Sequence, residues 1–162
     1  MKFNYFALKA IYLHEMDRFR RTLAQSLLSP VLSTSLYFIV FGSVIGGYVQ
    51  KIDGISYGSY IVPGLLMLTL LTQSISNTSF GIFFPKFNGT VYEILAAPIS
   101  TLEIVLAFVG AGATKTLIVG AMIFITATFF VEVEVKYPIL MIFLLVLVSF
   151  TFALFGFLIG LM

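Results

Sequence analysis

The chain has 162 residues, of which 60% are hydrophobic and 10% are charged, and its mean hydropathy is +1.09. Soluble domains carry about 25% charged residues, so this composition excludes an ordinary soluble domain. With no cysteine and a single histidine, the chain offers no disulfide or thiolate metal site, and we expect no metal or other cofactor. Its net charge of +2 is too small to predict a nucleic-acid partner.

The first 29 residues are basic and partly apolar. Five Lys or Arg residues fall within the first 21 residues, and no short apolar core there ends in a small-residue cleavage site, which argues against a cleaved signal peptide. Phe3, Phe6 and Leu13 follow helical spacing. This pattern predicts a helix on the cytoplasmic membrane surface, ending where the chain turns inward at Pro30. The alternative is a charged flank that only fixes the topology.

Four later stretches are long and apolar enough to cross a hydrocarbon core of about 30 Å as α-helices. Backbone groups at that depth must be satisfied internally, which favours helix in each stretch. The sequence therefore predicts an all-α integral membrane fold, with an interfacial helix in residues 1–29 and a transmembrane domain in residues 30–162. The predicted spans are residues 31–49, 60–83, 104–131 and 138–162.

The flanking charges give these spans a direction. If the N-terminus is cytoplasmic, six basic residues lie inside and two lie outside, in agreement with the positive-inside rule. The inside set is Lys2, Lys9, Arg18, Arg20, Arg21 and Lys86, and the outside set is Lys51 and Lys136. We therefore expect a cytoplasmic N-terminus.

The cytoplasmic stretch between the second and third spans carries several local signals. Asn-Gly at residues 88–89 indicates a turn. Thr90 and Glu93 have capping-box spacing and Pro98 follows, which predicts a short helix over residues 90–97. The same capping pattern recurs in Ser-Thr-Leu-Glu at residues 100–103, at the start of the third span.

This loop resembles the cytoplasmic loop of permease subunits of type-2 ATP-binding-cassette (ABC) exporters. Residues 89–100 read GTVYEILAAPIS and are followed by Glu103, whereas the family loop commonly reads G-T-x-E-x-L-L-x-x-P-x-S. Residues 57–64 look like the start of the second span in those permeases, and residues 36–42 look like the first. The resemblance covers essentially the whole chain and is closest to permeases of the bacterial inner membrane.

The resemblance implies a permease that forms a homodimer and docks two ATPase subunits beneath it. The leader would be the connecting helix, and residues 90–97 would be the coupling helix that meets the ATPase. The residues expected to serve this contact are Gly89, Thr90, Glu93, Ile94, Leu95 and Pro98. Such permeases usually have six spans, so we expect this chain to be a fragment that lacks the last two.

Glu93 has two possible roles within that loop. It could offer its carboxylate to the ATPase, or it could cap its own helix. The capping spacing favours the second role.

No ATP site is expected within the chain. Residues 110–116 superficially resemble a phosphate-binding loop, but Thr114 replaces the glycine that should precede Lys115, and the segment lies inside an apolar helix. The chain is therefore not expected to be an enzyme, and ATP hydrolysis is expected in a separate subunit.

Lys115 lies about 18 Å into the third span, where a bare charge is costly. It could line a transport path or pair at a dimer interface. Alternatively, its stem could snorkel to the membrane surface, or an internal polar contact could bury it. Both kinds of interpretation remain open from the sequence.

Polar residues crowd the cytoplasmic half of the second span. Gln73 and Asn77 share one helical face there. They could line a polar pathway, although hydrogen bonding between helices is the favoured interpretation. The G-x-x-x-G pairs Gly42–Gly46 and Gly156–Gly160 favour close helix packing within one subunit.

These observations favour the permease of an ATP-driven exporter that moves an amphipathic, lipid-linked, glycan or drug-like substrate outward. The alternative is a polytopic membrane carrier or assembly protein with no ATPase partner. An intramembrane enzyme is poorly supported, because every Asp and Glu lies outside the predicted spans.

Overall fold

The computed structural model describes residues 3–41, 51–52, 55–131, 133 and 135–162. Helices account for most of these residues. A two-residue antiparallel hairpin, β1 (Lys51–Ile52) and β2 (Ile55–Ser56), leads directly into the third helix. The helices are α1 (Tyr5–Arg21), α2 (Leu23–Ile39), α3 (Tyr57–Phe87), α4 (Val91–Ala96), α5 (Thr101–Phe130) and α6 (Pro138–Leu161).

Among the described residues, three helices are long and apolar enough to cross a bilayer. They are α3, α5 and α6, with 31, 30 and 24 residues, and they cover most of the last three predicted spans. Helix α2 is apolar but has only 17 residues in its described part. The chain is therefore a helical integral membrane protein, as its composition predicted.

Helix α2 begins earlier than the start of the first predicted span. We expected the chain to turn at Pro30, but α2 starts at Leu23 and passes through Pro30. The break lies at Thr22, whose N–H and hydroxyl both bond to the carbonyl of Phe19. Proline fixes a φ angle that a helix can accommodate and costs one backbone hydrogen bond, so it need not end the helix. Residues 42–49 of the predicted first span lie outside the described residues.

Helix α5 forms the centre of the fold. It packs against α1, α2, α3 and α6. Fourteen of its 30 residues are buried, compared with 8 of 31 in α3 and 5 of 24 in α6. Small residues allow this close packing: a Cβ atom on Gly112 would lie 2.0 Å from Thr78 Oγ1.

Helices α3 and α6 meet along a glycine seam. A Cβ atom on Gly156 would lie 2.5 Å from the carbonyl oxygen of Ile75, and one on Gly160 would lie 2.6 Å from that of Ser79. The predicted role of this pair in packing within one subunit is therefore confirmed. The other pair, Gly42–Gly46, lies outside the described residues.

Helix α1 lies against α5 and is distinctly two-sided. Glu15 and Phe19 are buried, whereas the apolar side chains of Phe3, Phe6 and Leu13 are exposed. The exposed set is the one whose spacing predicted an apolar membrane-facing side. The break after α1 falls at Thr22, several residues before the predicted domain boundary at residue 29.

Candidate coupling site

The site is built around α4, which connects α3 to α5. Gly89 makes the turn that reorients the chain after α3, and its φ of +79° lies in the left-handed region that favours glycine. Its N–H bonds to the carbonyl of Lys86, which satisfies one of the last carbonyls of α3. The chain then enters the single helical segment Val91–Ala96.

One side chain of α4 anchors it to the fold. Ile94 is partly buried and packs against the core cluster that includes Ile104 and Phe108. Tyr92 and Leu95 point away from that core, with 73% and 64% of their surface exposed. The helix therefore presents an aromatic and a leucine side chain outward from a fixed base.

The remaining predicted coupling residues lie around this exposed face. Thr90, Glu93 and Pro98 are exposed, and Gly89 is partly buried in the turn. The loop thus brings the predicted residues together at one end of the helical bundle, although Ile94 contacts the core and not the exterior.

The predicted capping box at Thr90 and Glu93 is wrong. Thr90 makes no side-chain cap bond to the described residues, and the first turn is closed by backbone bonds alone. An N-cap residue needs an extended backbone, whereas Thr90 already has helical angles of −61° and −20°. The Glu93 side chain is exposed, and it makes no capping bond in α4 to any residue that the structure describes.

The second predicted capping box is confirmed at the start of α5. Ser100 is extended, its hydroxyl accepts the N–H of Glu103, and the Glu103 carboxylate accepts the N–H of Ser100 at 2.8 Å. The other carboxylate oxygen accepts the backbone N–H of Asn4. Glu103 is buried, so one carboxylate ties the start of α1 to the start of α5 beside α4.

Further along α5, Lys115 forms a buried ion pair with Glu15 of α1. Lys115 Nζ lies 2.7 Å from Glu15 Oε2, and both side chains are at least 96% buried. A charge at this depth is expensive unless it is paired and hydrogen-bonded, and Glu15 supplies that partner. Of the roles considered for Lys115, an internal polar contact is the one that this chain makes.

Arg18 completes a small charge cluster with that pair. Its Nη1 lies 3.2 Å from Glu15 Oε1, so both carboxylate oxygens are engaged. The guanidinium also lies 5.9 Å from the centre of the Phe84 ring of α3. A Cβ atom on Gly81 would lie 3.4 Å from Glu15 Oε2, so glycine leaves room for the carboxylate between α3 and α5.

Helix α1 also contacts α5 between these two points. The Tyr12 hydroxyl donates to Thr114 Oγ1 at 3.1 Å. Asn4, Tyr12 and Glu15 contact α5 in the same order as their partners occur along it. Helix α1 therefore runs parallel to the first half of α5.

The polar pair on α3 is separate from this cluster. Asn77 Nδ2 donates to Gln73 Oε1 at 3.5 Å within α3, and Lys115 bonds to Glu15 and to neither of them. Gln73 lines a groove of about 280 Å³ between α2 and α3. The structure therefore does not bring the three predicted pathway residues into one site.

Sequence reasoning did not find Glu15, Arg18 or Tyr12. Glu15 and Lys115 are 100 residues apart, so no local pattern joins them. One signal was available: a lysine inside a span needs a counter-ion, and Glu15 is one of only two acidic residues in the leader.

The sequence matches the model of the ABC-2 type transporter family over residues 7–162. The chain belongs to this family. The resemblance to type-2 ABC permeases that the sequence indicated is therefore confirmed.

Curated relatives of this permease carry a consistent name. The inner membrane transport permease YadH of Escherichia coli K12 is 37% identical over 160 residues, covering 99% of this chain and 62% of the relative. The YadH proteins of E. coli O157:H7 and Shigella flexneri match to the same extent. The chain thus spans less than two thirds of the length of these relatives. No solved structure matches the chain.

Proposed function

We propose that the chain is the membrane subunit of an ATP-driven exporter, and that α4 is its docking contact for a separate ATPase subunit. Family membership supports a permease, and the single observation that carries the docking assignment is the exposure of Tyr92 and Leu95 on a helix anchored by Ile94. The substrate would be amphipathic, lipid-linked, glycan or drug-like, and it would move outward. Two copies of the permease would work with two ATPase subunits.

The proposed topology has four spans in this chain: α2, α3, α5 and α6. The name of the relatives supports a bacterial inner membrane, and the charge distribution supports a cytoplasmic N-terminus. Helix α1 would begin at the cytoplasmic interface beside the start of α5 and run along the first half of that helix, with Phe3, Phe6 and Leu13 in contact with lipid. Helix α4 would then lie on the cytoplasmic side, where an ATPase can reach it.

A force applied to α4 would reach the spans through packed contacts. Ile94 of α4 packs against the same core as Ile11 of α1 and Val105 of α5. Glu103 joins the starts of α1 and α5, and the Glu15–Lys115 pair joins the two helices about 18 Å farther along α5. Movement of α4 would therefore carry α1 and the first half of α5 with it.

Co-purification tests the docking assignment. The permease would be produced with its candidate ATPase subunit, as the wild type and as the Tyr92→Ala/Leu95→Ala variant. We expect the variant to lose most of the bound ATPase while remaining a monodisperse membrane protein, since neither side chain contributes to the core.

The matched control is Ile139→Ala, which truncates a side chain that is 84% exposed in the first turn of α6. It should retain the ATPase. Retention of the ATPase by the α4 variant would contradict docking at α4. Transport driven by an ion gradient without any ATPase would favour the alternative, a carrier.

A further inference from the structure

The last turn of α1 carries more positive charge than the residues around it neutralise. Arg18, Arg20 and Arg21 all fall in this turn. The carboxylate of Glu15 is engaged by both Lys115 and Arg18, and neither Arg20 nor Arg21 forms an ion pair with any residue that the structure describes. The C-terminal end of a helix attracts cations, but its partial charge of about −0.5 is small beside three arginines. The turn therefore retains positive charge that a further anion can neutralise.

Helical geometry places these arginines on two different flanks of α1. Residues three apart lie on the same side of an α-helix, whereas successive residues differ in direction by about 100°. Arg18 and Arg21 therefore share one flank, and Arg20 lies on another. The Arg18 guanidinium lies 5.9 Å from the centre of the Phe84 ring, so the flank with Arg18 and Arg21 lies next to α3.

Exposed phenylalanines of α3 adjoin this flank and form an aromatic surface. Phe80, Phe83, Phe84 and Phe87 each have between 47% and 77% of their surface exposed. Phe84 contacts both Phe80 and Phe83, and Phe83 stacks on Phe87, with ring centres 6.1–6.4 Å apart. The two arginines therefore border a continuous apolar surface that is about two helical turns long.

The length of α3 places this aromatic surface near the level of the lipid head groups. The 31 residues of α3 extend for about 46 Å, which matches a bilayer of about 40–45 Å with its head groups included. Phe84 and Phe87 lie in the last turn of α3, and Phe80 lies about one turn closer to the bilayer centre. A phosphate bound at Arg18 would therefore lie at head-group depth, and an acyl chain could run from it along the phenylalanines.

We infer that Arg18 and Arg21 bind the phosphate of an anionic phospholipid whose acyl chain lies along the aromatic surface of α3. Guanidinium groups suit phosphate because they offer paired N–H donors and a permanent positive charge. A head group with a net negative charge neutralises the turn, which a zwitterionic head group does not. The aromatic surface favours a lipid over a free phosphate or an acidic protein segment, because only the lipid brings an acyl chain to cover it. The site depends on α3 crossing the bilayer and not on the contact between α4 and an ATPase.

Photolabelling tests the site in the full-length permease, reconstituted in phosphatidylcholine nanodiscs. The probe is phosphatidylglycerol with a diazirine in one acyl chain, and mass spectrometry identifies the labelled peptide. We expect the label on residues 80–87 of α3. A phosphatidylcholine probe with the same diazirine chain should give about tenfold less label there, because its head group carries no net charge.

Arg21→Gln tests the phosphate contact. Arg18 is left intact, because it also holds Glu15 and its removal would disturb the ion-pair cluster. One basic group near an anionic lipid typically changes binding by about fivefold, so labelling by the phosphatidylglycerol probe should fall by about that factor. The matched control is Arg20→Gln, which removes the same charge from the neighbouring residue on the other flank and should change labelling by less than about twofold. Monodispersity of both variants would show that the fold is intact.

Competition then identifies the ligand class. Excess dioleoyl phosphatidylglycerol should abolish the labelling, whereas glycerol phosphate, which has the head-group chemistry without an acyl chain, should not. Equal labelling of Arg21→Gln and Arg20→Gln would overturn the arginine site. Competition by glycerol phosphate, or displacement of the probe by a bound ATPase subunit, would overturn the lipid assignment. Absence of label from residues 80–87 in a permease that still binds its ATPase would refute this site alone.

Discussion

Glu15 and Lys115 form a buried ion pair between the first helix and the central helix of the bundle. The 2.7 Å contact joins residues 100 positions apart and fixes α1 against α5 halfway along that helix. Arg18 binds the second carboxylate oxygen of Glu15, and its guanidinium lies over the Phe84 ring of α3. The charge cluster therefore also connects α1 to α3. Helix α1 is thereby joined to the helix on which the fold is centred.

Glu15→Gln should destabilise the protein strongly. The substitution leaves the Lys115 ammonium buried without its counter-ion, and breaking a buried pair in this way typically costs about 3–5 kcal/mol. We expect a large fall in the thermal denaturation midpoint in detergent. The control is Asp17→Asn, which removes an acidic group from the exposed side of the same helix and should have little effect.

The double variant Glu15→Leu/Lys115→Met gives a second test of that pair. Replacing both partners with apolar side chains removes the unpaired charge, so most of the stability lost in Glu15→Gln should return. Equal midpoints for Glu15→Gln and Asp17→Asn would show that the ion pair contributes nothing to the fold.

Gly156→Ala should disturb the seam between α3 and α6. The new Cβ atom would lie 2.8 Å from Ile75 Cα and 2.5 Å from its carbonyl oxygen, so backbone must move. We expect a loss of about 1–3 kcal/mol, measured as a lower midpoint of thermal unfolding. Gly64→Ala is the matched control, since nothing lies within 4 Å of its Cβ position. A seam that tolerates Gly156→Ala as well as Gly64→Ala would contradict the close approach of α6 to α3.

Glu103 and Glu93 should respond differently to the same substitution. Glu103→Gln weakens a carboxylate that accepts the N–H groups of Ser100 and Asn4, and should cost about 1 kcal/mol. Glu93→Gln changes an exposed side chain with no capping bond in α4 and should leave the unfolding midpoint unchanged. A comparable loss of stability in both variants would mean that Glu93 caps its helix after all.

The sequence predicted α3, α5 and α6 closely, because long apolar stretches with at most one charge have few alternatives in a bilayer. The predicted first span starts after Pro30, whereas α2 starts at Leu23. Proline indicates a helix break in a sequence, but a membrane helix tolerates it at the cost of one hydrogen bond. The break at Thr22 depends on hydrogen bonds to the preceding turn and has no comparable signal in the sequence.

The candidate site was predictable where the chemistry is local. The box at residues 100–103 formed because Ser100 is extended, whereas the same spacing at Thr90 failed because the residue is already helical. The Glu15–Lys115 pair and the link from Asn4 to Glu103 depend on tertiary packing of α1 against α5. Spacing along the chain cannot reveal contacts of that kind.

The outward face of α4 is the surface that we propose meets the ATPase subunit. The most direct measurement is site-specific cross-linking from α4, using single cysteines in this cysteine-free chain. Leu95→Cys places a thiol on the exposed face, and Ile94→Cys places one on the same helix but against the core. With a short bifunctional maleimide, we expect the Leu95→Cys permease to cross-link to the ATPase subunit and the Ile94→Cys permease to cross-link far less. No cross-link from Leu95→Cys in a complex that still contains the ATPase would contradict the account.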